Sequence, residues 1–300
     1  MRQIVILILS LLLPAATAAR PAFYWVTHEG SHLLLGYLSL ADSDFRSGAD
    51  GNIGGTRSMF SAQYEFAGGK PWVLGLGHQY SALDIDTATA SSARANGDLH
   101  TLHLALDWRR SLGPGELHLA LAPAVSTSSN GLKNPDQLDS DALQLWCAAI
   151  YRWPGAAQGE WVAGLASDTR FGNQRLYPVL GLQWWDSHTT LRAAYPDLLL
   201  TRRLGERWSA SMSISPDGNY WQAYDRELEN GDEFRREAWQ AGLGLDYGLP
   251  AGFRLGLRIG YFWDQAWRFR RLDGGWARLD SDNSAYVGVQ LGWFKGLLQE

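Results

Sequence analysis

The chain has 300 residues and a formal net charge of −5, with 33 Gly, 15 Trp and 12 Tyr but only 19% charged residues. An acidic balance argues against nucleic acid as a partner, because binding to the phosphate backbone depends on clustered Lys and Arg. The single cysteine, Cys147, excludes an intramolecular disulfide, and so many aromatic residues with so few charges are unusual in a soluble domain.

Residues 1–19 have the pattern of a signal peptide. Arg2 supplies a short positive region, an apolar stretch runs from Ile4 to Leu13, and Ala16-Thr-Ala18 offers a small-x-small cleavage site. The stretch is short for a membrane-spanning helix, which needs about 20 apolar residues. We expect cleavage and export, with an uncleaved anchor as the alternative. Residues 20–32 would then form an N-terminal segment in the periplasm or inside the folded domain.

The rest of the chain alternates apolar with small or polar residues in successive segments. Residues 98–109 are the clearest case, with His100, Leu102, Leu104, Leu106 and Trp108 at every second position. Residues 253–261 carry five apolar side chains on one face, and two glycines with Arg254 and Arg258 on the other. A strand that is apolar outside and polar inside is typical of a transmembrane β-barrel. A soluble sandwich or lipocalin-like barrel is the alternative, and it would turn its apolar side inward.

The connections alternate between short Gly- or Pro-containing turns and longer polar loops, as in bacterial outer-membrane barrels. We predict an all-β antiparallel barrel over residues 33–294, followed by a tail at 295–300. Counting in this register gives fourteen strands, from 33–40 to 285–294. Residues 189–204 contain two short segments, and the count falls to twelve if these do not span the membrane.

The final strand ends in two aromatic residues. Its spacing, Gly288-x-x-Leu291-x-Trp293-Phe294, resembles the C-terminal signal by which bacterial outer-membrane barrels are recognised for insertion. The chain departs from that signal because residues 295–300 follow the last aromatic. The resemblance implies the outer membrane of a Gram-negative bacterium as the location, with outer-membrane lipid and the barrel-insertion machinery as partners.

Two groups of arginines are candidate functional residues. Arg192, Arg254 and Arg258 fall on the predicted lumen face, where inward charges tune the selectivity of a pore. Alternatively they fill a closed barrel by pairing with carboxylates, for which the candidates are Asp107, Asp246 and Asp264. Near the last long loop, a run of basic and aromatic residues could bind lipopolysaccharide phosphates, or it could be an ordinary rim. The arginines of that run are Arg268, Arg270 and Arg271.

No cofactor or metal site is predicted, and the acidic loops lack the spacing of a calcium loop. A Ser–His pair on the lipid-facing wall would indicate a lipid-modifying hydrolase. His100 with Ser126 or Ser81 is the best such pair that the alternation offers, and no G-x-S-x-G motif accompanies it.

The segment from Leu176-Tyr-Pro178-Val-Leu-Gly181-Leu through Trp184 to Leu191-Arg-Ala-Ala-Tyr195-Pro196 resembles a family of uncharacterised proteobacterial outer-membrane barrels, catalogued as a domain of unknown function. The resemblance implies the barrel and its location, and it transfers no substrate, cofactor or catalytic residue. Together with the lumen arginines, the pattern favours a narrow channel or transport barrel for small solutes. The alternatives are a lipid-modifying hydrolase and a non-conducting structural or surface-binding barrel.

Overall fold

The computed structural model describes residues 31–46, 51–66, 71–86, 97–155, 158–225, 230–270 and 276–295. The predicted signal peptide, nearly all of the segment 20–32 and residues 296–300 of the tail lie outside this part of the chain. Within it, no helix is long and apolar enough to cross a membrane.

Fourteen antiparallel strands within the described residues hydrogen-bond into a closed ring. The ring strands are β1 (His32–Asp44), β2 (Asn52–Glu65), β3 (Trp72–Asp86), β4 (Asp98–Leu112), β5 (Gly115–Ser128), β6 (Leu143–Pro154), β7 (Gly159–Asp168), β8 (Arg175–Trp185), β9 (Thr189–Ala194), β10 (Asp197–Arg203), β11 (Trp208–Pro216), β13 (Asn230–Gly248), β14 (Phe253–Arg270) and β16 (Ser284–Phe294). Two further strands lie outside the ring, β12 (Asn219–Asp225) and β15 (Trp276–Ser281). The predicted barrel is confirmed with the higher of the two strand counts.

The two short segments of residues 189–204 are both strands of the barrel wall. β9 has 6 residues and β10 has 7, and they pair with each other and with β8 and β11. The wall is therefore continuous here, although it is built from shorter strands than elsewhere.

The outer face of the barrel is apolar and the inner face is polar. On the outside, Leu104 is 55% exposed and Leu257 is 49% exposed, whereas the neighbouring inward residue Arg258 is only 8% exposed. This pattern excludes the soluble alternative, because a soluble barrel buries its apolar side. Closure of the ring also gives the strand backbones their hydrogen-bond partners, which spanning a membrane requires.

The two ends of the barrel differ. The inner end carries the first residue of β1, the last residue of β16 and the short turns, which is the periplasmic arrangement of bacterial barrels. The outer end carries a short helix α1 (Ser129–Lys133) after β5, together with β12 and β15. β12 pairs with the start of β13, and β15 pairs with the end of β14.

A buried hydrophobic cluster packs over the outer end. It joins residues of the extension formed by β12 to β15 with residues at the outer ends of β1 to β4. Its members are Phe45, Ile53, Ile85, Leu99, Trp221, Phe234, Trp267, Phe269 and Leu279. Burial of this much aromatic surface fixes the extension against the barrel.

Candidate functional site: the barrel lumen

β12 crosses the lumen from one wall to the opposite wall. It pairs along its length with β13, and its residue Gln222 also forms a parallel bridge with Thr127 of β5. β5 and β13 lie seven strands apart in either direction around the ring of fourteen, so they face each other across the barrel. The Thr127 hydroxyl donates a hydrogen bond of 2.7 Å to the Gln222 carbonyl oxygen. We call residues 217–225 the plug.

Asn219 ties the plug to the far wall and is only 1% exposed. Its Nδ2 donates to Thr101 Oγ1 at 2.9 Å, and its Oδ1 accepts from Thr169 Oγ1 at 2.6 Å and from Gln144 Nε2 at 3.2 Å. Gln144 Nε2 also donates to the Tyr220 carbonyl oxygen at 2.7 Å. A buried polar group that loses such partners costs about 1–3 kcal/mol, so this network holds the plug in one position.

A buried charge cluster lies at the start of the plug. Arg57 Nη1 donates to both carboxylate oxygens of Asp217 at 2.9 Å, and Arg236 pairs with the same carboxylate. The three side chains are at most 6% exposed. Burial alone would raise the pKa of Asp217, but the charges of the two guanidinium groups and their hydrogen bonds outweigh it and lower the pKa to about 2. The cluster is therefore charged at neutral pH.

A second buried cluster fastens the short strand β10. Arg170 donates to Asp168 Oδ2 at 2.9 Å and to Asp197 Oδ1 at 2.7 Å. The Tyr177 hydroxyl donates to the same oxygen of Asp168 at 2.5 Å. These contacts join β7, β8 and β10 beside the plug.

A cavity of about 430 Å³ occupies the lumen. Its lining includes Asp168 and Ser215 near the plug, and His32 and Phe294 at the inner end. The cavity therefore extends from beside the plug to the periplasmic end of the barrel. Its wall mixes polar and apolar side chains, and β11 contributes four serines, Ser209, Ser211, Ser213 and Ser215.

Arg258 lines the cavity and is held by two acceptors. Its Nη2 donates to Asp246 Oδ1 at 2.5 Å and to Gln290 Oε1 at 2.9 Å. Glycines leave space for this pair, because a Cβ at Gly256 would lie 2.5 Å from Asp246 Oδ1 and one at Gly244 would lie 2.8 Å from Arg258 Nη1, and the paired side chains would have to shift. The alternating glycines of β13 and β14 thus make room for a charged pair on the inner wall.

The other two predicted lumen arginines, Arg192 and Arg254, also line the cavity. The guanidinium of Arg254 lies 5.3 Å from the centre of the Phe294 ring, near the inner end. Asp107 was a candidate partner for these arginines, but the structure pairs it with His118, whose Nε2 lies 3.0 Å from Asp107 Oδ1. This partner was missed because His118 lies beyond a turn, on the next strand.

The structure describes only part of the arginine run near the last long loop, Arg268, Arg270 and Arg271. Arg268 Nη2 lies 2.9 Å from Glu237 Oε1, and both side chains are about one third exposed, at 35% and 31%. The side chain of Arg270 and the whole of Arg271 lie outside the described residues.

The residues of the predicted insertion signal divide between the two faces of β16. Gly288 and Phe294 are buried on the lumen side. Leu291 and Trp293 fall on the opposite side and pair with the outward residues Leu255 and Phe253. Their part in insertion stays a prediction.

The hydrolase alternative named His100 with Ser126 or Ser81, but the structure places a different serine beside His100. Ser81 and Ser126 are 3% and 0% exposed and face inward, so neither can meet the outward-facing His100. His100 instead contacts Ser129, with 2.8 Å between His100 Nε2 and Ser129 Oγ. Ser129 lies just after β5, where alternation no longer predicts direction. Among the described residues, no group of three or more His, Cys, Asp or Glu side chains could hold a metal ion.

No family model matches the sequence, and no curated protein matches it. Solved structures of bacterial outer-membrane proteins match the chain at low similarity. An outer membrane channel from Pseudomonas putida F1 is 10% identical, with a TM-score of 0.46 over 92% of this chain and 99% of that one. The toluene transporter TodX of Pseudomonas putida is 10% identical, with a TM-score of 0.36 over 91% of each chain. The translocator domain of the autotransporter NalP from Neisseria meningitidis is 11% identical, with a TM-score of 0.37 over 89% and 90%.

Likenesses this distant carry no argument about function. The closed ring and its apolar outer belt are themselves the architecture of the outer-membrane proteins of Gram-negative bacteria, and the protein is located there.

Proposed function

We propose that the protein is a gated outer-membrane channel for small solutes. The observation that supports this most directly is the cavity of about 430 Å³ beneath a plug that bridges two opposite walls of the barrel. A barrel that served only as a scaffold would gain nothing from an unfilled interior volume, whereas a solute path requires one. Movement of the plug would connect the cavity with the outer surface.

The gate can be locked and released at the bridge between Thr127 and Gln222. Paired residues of adjacent strands have the separation that a disulfide needs, so cysteines at these two positions should cross-link. The variant is Thr127→Cys with Gln222→Cys, in a Cys147→Ala background that removes the native thiol. Because the reductant acts on a barrel that is already folded, conductance before and after reduction can be compared in the same sample.

The measurement is conductance of the refolded protein in a planar bilayer. The oxidised variant should show no steps, and a reductant should raise its conductance at least to that of the Cys147→Ala parent, because the substitutions also remove the Thr127 hydrogen bond to the plug. The parent itself should not respond to reductant. If the cross-linked variant conducts equally before and after reduction, the plug is not the gate. If the parent shows no conductance at all, the channel proposal is wrong.

Three finer interpretations belong to the same proposal and rest on sequence alone. They are membership of the uncharacterised barrel family that residues 176–196 resemble, lipopolysaccharide binding by Arg268, Arg270 and Arg271, and insertion through the signal of the last strand. A deletion of residues 291–294 that leaves insertion unchanged would contradict the last of these.

A further inference from the structure

Three side chains, on the outward face of β3 and β4 and at the start of α1, form a hydrogen-bonded chain. His100 Nε2 lies 2.8 Å from Ser129 Oγ, and His100 Nδ1 lies 3.1 Å from Nε2 of His78. The two imidazole rings stack with centroids 5.4 Å apart and an interplanar angle of 9°. Both ring nitrogens of His100 are therefore engaged, one by a hydroxyl and one by a second imidazole.

This is the geometry of an activated serine, in which a base contacts the nucleophile and a third group orients the base. We propose that Ser129, His100 and His78 form a hydrolytic site for acyl esters of amphiphiles in the outer leaflet of the membrane. Ser129 is the nucleophile and His100 is the general base. His78 is a positioning residue that acts through His100.

The position of the site defines the substrate class. His100 pairs with Tyr80 and His78 pairs with Leu102 in the register of β3 and β4. On the belt side the wall is apolar, with exposed leucines that can carry an acyl chain, namely Leu76, Leu102 and Leu104. On the outer side the Tyr80 hydroxyl donates to Asp98 Oδ1 at 2.6 Å, so the surroundings become polar. An ester at the boundary between chain and headgroup would lie at Ser129.

The proton positions follow from the contacts. His100 must carry its proton on Nδ1 and donate it to the Nε2 lone pair of His78, which leaves His100 Nε2 free to accept the Ser129 proton. His78 then stabilises the positive charge that develops on His100.

The reaction balances without a cofactor. Ser129 Oγ attacks the ester carbonyl carbon while its proton passes to His100 Nε2. The bond from that carbon to the alcohol oxygen breaks, and the alcohol leaves with the proton from His100. Water attacks the acyl-serine, His100 accepts a proton from it, and the serine oxygen leaves and is reprotonated. One ester and one water give one fatty acid and one alcohol.

A purely structural role is the rival, in which the hydrogen bond only anchors α1 to the wall. The test uses the refolded full-length protein, whose folded state is checked by heat-modifiable migration. A fluorophosphonate probe is added, and the modified serine is located by peptide mass spectrometry. Fatty acid release is measured from phosphatidylethanolamine vesicles and, separately, from purified lipopolysaccharide. The two lipids distinguish a phospholipid ester from a lipid A ester.

The chain offers a matched control in an inner turn. Ser187 Oγ lies 2.7 Å from His188 Nδ1, and both residues are exposed. This pair reproduces serine–histidine contact away from the outer leaflet. The probe should label Ser129 and spare Ser187. Ser129→Ala should reduce fatty acid release by roughly 10³-fold or more, whereas Ser187→Ala should leave it unchanged.

The role of His78 is tested by two variants. His78→Ala should lower kcat by about a hundredfold with little change in KM, because the base loses its orientation while lipid contact remains. His78→Gln keeps an acceptor near Nε2 and should restore much of the rate. If the hydrogen bond only anchors α1, His78→Ala should not lower kcat selectively, and His78→Gln should not restore the rate.

The proposal is overturned if Ser129 is labelled no faster than Ser187, or if neither lipid releases fatty acid from folded protein. It is independent of conduction through the lumen, since Ser129→Ala should not alter conductance.

Discussion

Arg57 and Asp217 are separated by 160 positions in the sequence, yet the guanidinium of one lies 2.9 Å from both carboxylate oxygens of the other. The contact joins β2 to the start of the plug, and Arg236 of β13 completes it. A single buried carboxylate thus holds strands from two sides of the barrel.

Asp217→Asn should loosen the plug. The change leaves Arg57 and Arg236 buried without their anionic partner, and breaking a buried ion pair from one side costs about 3–5 kcal/mol. We expect a lower midpoint of urea unfolding and more frequent open events in a planar bilayer. Asp136→Asn, at an exposed position, is the control and should stay within about 0.5 kcal/mol of wild type. If the midpoint falls but the open probability is unchanged, the ion pair stabilises the fold and does not control opening.

The same carboxylate predicts how closure depends on pH. Its pKa is about 2 in the folded protein, below the value of about 3.9 for an unfolded aspartate. A lowered pKa contributes stability that is fully present above pH 3.9 and is lost as the pH falls through 2. Conductance should therefore stay low from pH 7 to about 4 and rise between about 4 and 2. The Asp217→Asn variant should lack this rise, and a wild-type transition near pH 6 would contradict the assignment.

Ion selectivity should respond to Arg254. This residue lines the inner part of the cavity, where reversing its charge changes the field that an ion meets. Arg254→Glu should shift the reversal potential in a salt gradient toward cations. Arg202→Glu is the control, because Arg202 is exposed on β10 and is paired with Thr189 on the face opposite the cavity-lining Thr201. Equal shifts in both variants would show that the effect comes from overall charge and not from the lumen.

The alternation of the sequence predicted the barrel because side-chain direction in a strand is a local property with period two. The pattern alone assigns Arg258 to the inner face and Leu257 to the outer face. The same rule predicted that Arg192, Arg254 and Arg258 share the inner face, which is where they line the cavity.

The plug and the Ser129 contact were not predictable in this way. Asp217 and Asn219 find their partners on β2, β4 and β6, and no local pattern specifies contacts across a closed ring. Ser129 follows the last residue of β5, so its direction is set by α1 and not by strand periodicity. The plug contacts depend on ring closure, which brings distant residues together only after every strand is in register.

The apolar belt gives a final prediction, at Leu257. This residue is central in the outward row of β14, which begins and ends with an aromatic residue, Phe253 and Tyr261, and it is 49% exposed. Leu257→Arg places a guanidinium near the bilayer midplane and should cost about 2–4 kcal/mol in urea unfolding from lipid vesicles. Thr201→Arg, which places the same group in the cavity, should cost much less because arginines and carboxylates already line the cavity. Equal costs at the two positions would mean that the face carrying Leu257 does not meet lipid.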